Sequence, residues 1–238
     1  MSESIQILKD IENAVTLCGK TYTDTDIFEV LKQESTDENK PLDIEKQICI
    51  LNLKGIKSQD EADLLIHHLT QHHGLIREAC AQKVNEFLKE PEYQGFFQTK
   101  EISDTLLKAV NDINPNICRL IIEVLPYVEN KEHFLSGLYE RIEFVFAEIE
   151  KLKRSNWYTK KVFNLYWCLE ALAVLKAPVD ERLISVLKRS SQFRDYTIRE
   201  KTAMVLHFLE ESSTETDNIK TYLKNDENFY VKQYSQQW

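Results

Sequence analysis

The chain has 238 residues, 42% of them apolar, and only five Gly and five Pro, a scarcity of chain breakers that disfavours a β-sandwich or a glycine-punctuated α/β fold and favours helices. Five Cys at 18, 49, 80, 118 and 168 form no CxxC pair, and an odd, scattered set argues against a disulfide framework, so buried thiols are the simpler reading. The net charge is −9 and the longest central apolar stretch, residues 165–175, falls short of the roughly 20 residues a membrane span needs. Residues 1–15 carry three acids and no apolar block, which is not a secretory signal, so a soluble cytoplasmic protein is expected.

In chain order, residues 4–18 read as a helix, and Asp24 or Thr25 caps another through Leu31. Residues 36–40 are a loop and a helix follows from Pro41 to about Leu53. Ser58 caps a helix over 60–69, in which Leu64, Leu65 and Leu69 share a face. Gly74 breaks it, and residues 76–88 form the next helix with Ala79, Cys80, Val84, Phe87 and Leu88 inward. Pro91, Tyr93 and Gly95 mark a connection before a helix over 102–110, with Thr99 or Ser103 at its start. Asn114-Pro115 opens its partner over 117–128. Phe134, Leu138, Ile142, Val145, Ile149 and Leu152 then step by 4, 4, 3, 4 and 3, a helical stripe over 133–153. Helices over 158–175, 181–189 (capped by Asp180), 198–210, 219–223 and 229–238 complete the chain.

A short pattern returns along this series. Residues 75–80, 116–121, 197–202 and 230–235 each begin near a β-branched residue, usually followed by a basic one, behind a polar turn. The first inward residues of the second helices, Ile76, Ile117, Val162, Ile198 and Val231, lie 41, 45, 36 and 33 residues apart. Self-similarity with this period marks a solenoid of helix pairs, each unable to bury its apolar stripe alone.

The segments Asp112-Ile113-Asn114-Pro115-Asn116-Ile117, Ile198-Arg199-Glu200-Lys201-Thr202-Ala203-Met204-Val205-Leu206 and Asn225-Asp226-Glu227-Asn228-Phe229-Tyr230-Val231-Lys232 resemble the HEAT-repeat family, whose second helix follows an Asp-x-x-Pro turn with Val-Arg and then small or apolar residues. The resemblance covers residues 59–238, with residues 1–58 as N-terminal helices forming a divergent capping repeat of one continuous domain. The third unit departs from the pattern, having Phe163 after Val162 where the family has Arg. The resemblance implies an all-α fold, a right-handed α-α superhelix (solenoid) of HEAT-like two-helix repeats. It also implies binding through the concave face of second helices.

Catalytic signatures are absent: there is no GxSxG, no phosphate-binding Gly loop, no HExxH and no GxGxxG, and no cofactor is expected. His68 and His72 stand at i, i+4, but no third ligand has matching spacing; a helix end with imidazoles on free carbonyls is the better account, with His67 and His73 as plain surface, and no metal site is assigned. Residues 151–200 hold 11 Lys and Arg against 5 Asp and Glu, a surplus of +6 that leaves −15 on the other 188 residues. The basic aromatic run from Lys151 to Lys161, with Tyr166 and Trp167 beyond it, has the ingredients of nucleic-acid contact, yet helix-end cations paired with nearby acids account for it as well.

The leading expectation is a non-enzymatic, monomeric scaffold or adaptor that binds another protein, as an inhibitor or neutraliser of a basic partner in one version. Its candidate contacts are Trp157, Tyr158, Lys160, Lys161, Tyr166, Arg194 and Tyr196. The alternative is a HEAT-like DNA-binding protein or alkylpurine DNA glycosylase using the basic block with Trp157, Trp167 and Asp195, although an acidic chain lacks the many cations from which DNA binders draw affinity.

Overall fold

A computed structural model describes residues 15–17, 19–34, 40–71, 73–152 and 156–235. These are 75% helical. Strand pairing is confined to a hairpin in which β1 (Val15–Leu17) runs antiparallel to β2 (Lys20–Tyr22) around Gly19, whose φ of +82° suits a residue without a Cβ. The helix expected over residues 4–18 is therefore corrected at its end: 15–17 is a strand, because Val15, Thr16 and Leu17 pair with Tyr22, Thr21 and Lys20, and residues 4–14 lie outside the described ones.

The chain divides into two compact units, Met1–Glu129 and Asn130–Trp238. In the first, α1 (Asp24–Leu31), α3 (Gln59–His68) and α6 (Lys100–Ala109) are the first helices of three pairs, and α2 (Lys40–Asn52), α4 (Gly74–Lys89) and α7 (Pro115–Val124) are the second. First helices pack on first helices, α1 on α3 and α3 on α6, while α2 packs on α4 and α4 on α7. The expected connection at Pro91 to Gly95 is itself a turn of helix, α5 (Pro91–Gln94), with Pro91 at its first position.

The second unit has the same two layers. α8 (Lys131–Lys151) lies against α9 (Asn156–Val174), then come α10 (Glu181–Ser191), α11 (Tyr196–Phe208), α12 (Thr214–Lys224) and α13 (Phe229–Ser235). Here α9 packs on α11 and α11 on α13, with α10 on α12 in the other layer.

Helix starts follow local chemistry. Ser58, Thr99, Asn114, Asp180, Asp195 and Ser213 each place a side-chain oxygen on a backbone N–H of the first turn. Thr23 and Asp26 form a reciprocal capping box at α1. The far end of α1 is closed by its neighbours: His68 Nε2 donates to the Leu31 carbonyl at 2.9 Å, and the buried Lys46 ammonium donates to the Gln33 carbonyl. Burial holds the His68 pKa below its ordinary value, so a neutral ring fills this place. His72 lies outside the described residues.

The second helices are tied together by a recurring clamp. Arg77 of α4 grips Asp112 in the turn before α7 with Nε at 2.8 Å and Nη2 at 3.2 Å, while Nη1 donates to the Gln71 carbonyl of its own turn at 2.9 Å. Arg199 of α11 does the same to Asp226 at 2.6 and 3.1 Å, with Nη1 on the Phe193 carbonyl at 2.9 Å. Each aspartate also accepts the backbone N–H two residues on, from Asn114 and Asn228, both at 2.8 Å. The step from α9 to α11 has no such pair: Phe163 stands where the arginine would be, and Phe193 where the aspartate would be. Phe193 packs instead toward Phe146, ring centres 6.4 Å apart.

The inward marker residues Ile76, Ile117, Val162, Ile198 and Val231 are all buried. Ile198→Asp places an unpaired carboxylate in the core and is expected to cost at least about 3 kcal/mol, read as a large fall in melting temperature. Arg199→Ala strands Asp226 in a mostly buried turn and is expected to cost about 3 kcal/mol in urea denaturation, whereas Arg194→Ala should stay within about 0.5 kcal/mol. Although burial opposes it, the Arg199 guanidinium holds the Asp226 pKa below its ordinary value. The unfolded carboxylate therefore takes up its proton at a higher pH than the native one. This contribution is complete above about pH 4 and is lost as pH falls through the native pKa, so acid unfolding of Asp226→Asn should show a shallower pH dependence than the parent.

Candidate functional site

The helix turns that feed the second helices carry a row of apolar residues facing solvent. In the first unit these are Leu75 and Ile113, the latter 84% exposed. In the second they are Tyr196, Phe229 and Tyr230 at the first and second positions of α11 and α13. The Tyr196 and Tyr230 rings stack, 6.3 Å between centres and 23° between planes. Both residues are exposed, unlike the buried aromatics Phe134 and Phe146 of the same unit.

An open cleft of about 870 Å³ runs along this edge of the second unit, lined by Tyr158, Arg194, Asp195, Tyr196, Glu227 and Asn228, with Arg199 at its floor. A smaller cleft of about 490 Å³ shares Arg194, Arg199 and Glu227 and continues to Phe193 and Tyr222. The polar groups differ in how far they are committed. Arg199 is spent on Asp226, and that contact raises its pKa. Asp195 caps α11, its Oδ1 accepting from the Thr197 N–H at 3.1 Å and the Thr197 hydroxyl at 2.9 Å. The Arg194 guanidinium has no side-chain hydrogen bond or ion pair among the described residues, while the Glu227 carboxylate acts on Arg199 and adds to the rise in its pKa.

Three of the sequence candidates, Tyr158, Arg194 and Tyr196, meet in this cleft. The others lie elsewhere. The Tyr166 ring carries the Lys201 ammonium at 4.5 Å and packs on Phe163 and Trp167. Lys201 itself pairs with Glu170 at 2.5 Å; burial opposes its charge, but Glu170 outweighs that and holds its pKa above the ordinary value. Tyr166 thus belongs to the seam between α9 and α11. Lys161 sits 5.1 Å from the centre of the Phe144 ring and 3.9 Å from Glu148, on the seam with α8. Lys160 is exposed on α9. The Trp157 side chain and residues 153–155 lie outside the described residues.

Most cations of the basic block are engaged with acids. Lys151 meets Glu148, Arg182 meets Asp180, Arg189 meets Glu143 and Glu150, and Lys176 meets Glu210. The acids sit one turn or one neighbouring helix away, close enough to cancel the local surplus that the linear sequence displays. Glu227 and Asn228 are the cleft residues that sequence reasoning missed, and Tyr230 the missed partner of the Tyr196 ring. Their signal was the equivalence of the Asn225–Asn228 turn with the Arg194-Asp195 turn, which places both turns on one edge. No group of three or more His, Cys, Asp or Glu is placed to hold a metal among the described residues, and none of their helices is long and apolar enough to cross a membrane.

Tyr196→Ala and Tyr230→Ala remove rings that cover no core, so each is expected to cost under about 1 kcal/mol in a thermal melt. A cost of several kcal/mol would make this stack a structural element of the array instead of an exposed surface.

No protein-family model matches the chain, and a comparison with curated proteins found no match. Among solved structures, the chain is similar to two engineered proteins determined by the Northeast Structural Genomics Consortium. One is 12% identical with a TM-score of 0.51, covering 89% of this chain and 94% of that one. The other is 12% identical with a TM-score of 0.52, covering 89% of this chain and 96% of that one. Likeness at this identity shows a shared all-helical fold: close-packed helix pairs are the architecture on which the turn-edge cleft is built.

Proposed function

We propose that the chain is a non-enzymatic binding protein whose helix pairs are HEAT-like repeats of a right-handed α-α superhelix within each unit, and that it recognises another protein through the turn edge and second-helix face of its C-terminal unit. The observation that carries this reading is the exposed Tyr196–Tyr230 stack beside an uncommitted Arg194 at a cleft of about 870 Å³. Tyrosine and arginine are the residue types that dominate protein-binding hot spots, since they offer large contact area with a polar handle. Their exposure serves no packing purpose that the fold requires. The acidic balance of the chain favours a partner with a basic surface, by steering the encounter. The protein acts in this reading as a cytoplasmic monomer.

The engagement of most basic-block cations with acids supports a protein partner over DNA, whose binding draws on many cations free to neutralise phosphates. Affinity capture from the native source, quantified by mass spectrometry, tests the reading. A specific partner retained by the parent protein should be reduced about tenfold or more by Tyr196→Ala combined with Arg194→Glu, both melting near the parent temperature. Duplex DNA should give no shift in a gel at about 0.15 M salt. Low-micromolar DNA binding abolished by Lys160→Glu with Lys161→Glu would instead promote the nucleic-acid alternative.

A further inference from the structure

The C-terminal end of α1 is closed by two titratable side chains from two other helices. His68 on α3 donates from Nε2 to the Leu31 carbonyl at 2.9 Å, and Lys46 on α2 donates its ammonium to the Gln33 carbonyl. Both are buried, His68 at 7% exposure and Lys46 at 1%. A carbonyl can only accept, so Nε2 carries the hydrogen of the neutral ring, and Nδ1 is the position left for a second proton. The last carbonyls of a helix favour a cation, and the Lys46 ammonium already fills that role. A proton on Nδ1 adds a second positive charge to the same buried place.

The surroundings give that second charge little support. Burial opposes it first, and the Lys46 ammonium on α2 and His67 on the same helix oppose it further. The Leu31 carbonyl favours it but is outweighed, so the seated ring has a pKa below the ordinary 6.5. Among the described residues no carboxylate of α1, α2, α4 or α6 acts on the ring. Asp43 supports the Lys46 charge from its own helix, while burial opposes it. The N-terminal end of α1 is tied separately. Asp24 Oδ1 accepts from the Lys54 N–H at 2.9 Å, and the Tyr22 hydroxyl donates to Glu45 at 2.6 Å. That hydrogen bond holds the Glu45 pKa below its ordinary value, so Glu45 stays ionised through mildly acid pH.

We propose that mild acid frees the C-terminal end of α1 from α2 and α3: a proton on His68 sets two cations against one helix end, and release lets the imidazolium reach water while the N-terminal ties keep α1 on the unit. The freed ring takes up its proton near the ordinary 6.5 and the seated ring only at lower pH. Closure is therefore undisturbed above about pH 7.5, weakens as pH falls through the freed ring's pKa, and stops weakening below the seated ring's. Glu61, in the first turn of α3, acts with the opposite sign: burial raises its pKa, so its protonation favours the native state as pH falls. Release bares Ile27, Phe28 and Leu31, each at most 3% exposed when seated, and so makes an apolar surface of the first unit conditional on a proton. This device stands independently of the turn-edge cleft of the second unit.

Hydrogen exchange of the full chain, followed by mass spectrometry at about pH 7.5 and about pH 5.5 and corrected for the intrinsic pH dependence of amide exchange, tests it. Protection of residues 24–32 is expected to fall about threefold to tenfold at the lower pH, the scale that uptake of one proton sets, while that of α6 and α9 changes by less than about twofold. His68→Gln keeps an N–H donor at similar reach without a titrating group, and should abolish the fall. The His68 ring of the parent protein, followed by NMR, should titrate below 6.5. Lys46→Met removes the opposing charge and should raise that midpoint. Unchanged protection of residues 24–32 between the two pH values, an equal fall across both units, a fall that persists in His68→Gln, or a His68 midpoint at or above 6.5 overturns the proposal. If His68→Gln does not fold, the exchange and NMR readings on the parent protein decide it.

Discussion

The guanidinium–carboxylate clamp between successive helix pairs is the contact on which the arrangement of this protein depends. One arginine performs three tasks: two of its N–H groups hold the aspartate of the following turn, and a third holds a carbonyl of its own turn. The aspartate in turn fixes the N–H that sets the start of the next helix. A hydrophobic stripe alone would bury second helix against second helix but leave their sliding register loosely defined, since ridges and grooves repeat every turn. The clamp removes that freedom, because a fork of fixed geometry fits its carboxylate in one register only. The apolar core supplies the stability and the clamp selects the alignment.

That division of labour explains where spare chemistry accumulates. Cations that serve the seams are consumed: Arg77, Arg199 and Lys201 each face a specific acid across a helix–helix step. The first-to-second turns must stay polar at their caps, so the residues beside the caps are left to solvent, and these are Ile113, Tyr196, Phe229 and Tyr230. An exposed ring at the start of a helix costs the array little and offers a partner much. The turn-edge cleft of the C-terminal unit reflects this, with the Tyr196 ring and an uncommitted arginine on its lining.

Much of this was legible before any coordinates. The apolar residues at 3.6-residue spacing placed the helices to within a few positions, and Ser58, Asp180 and the Asn114-Pro115 step marked starts correctly because capping is a local contest between one side chain and the nearest amides. What could not be read depends on partners distant in sequence. The β1–β2 hairpin lies in a stretch whose periodicity also suits a helix, and pairing across Gly19 decided the outcome. Arg199 looked like part of a cationic surface, but its partner is 27 residues away, and nothing local announces that Asp226 folds back to meet it. Tyr158, Arg194 and Tyr196 were singled out by residue type, and it is the fold that brings them to one cleft. Tyr166 shares that chemistry and points into a seam, a distinction set by helix rotation alone.

The cysteines give the fold a property of another kind. Cys49, Cys80, Cys118 and Cys168 sit one apiece on α2, α4, α7 and α9, all buried and none in a disulfide. Burial pushes the Cys49 thiol up to about 11 and Cys80 higher still, so neither offers the thiolate that alkylating reagents attack. Each second helix from α2 to α9 therefore carries a chemical clock that starts only when its own seam parts. The order in which the four thiols become reactive under mild denaturant records the sequence in which the layers separate, and a ligand that clamps one seam would slow one clock while leaving the others running.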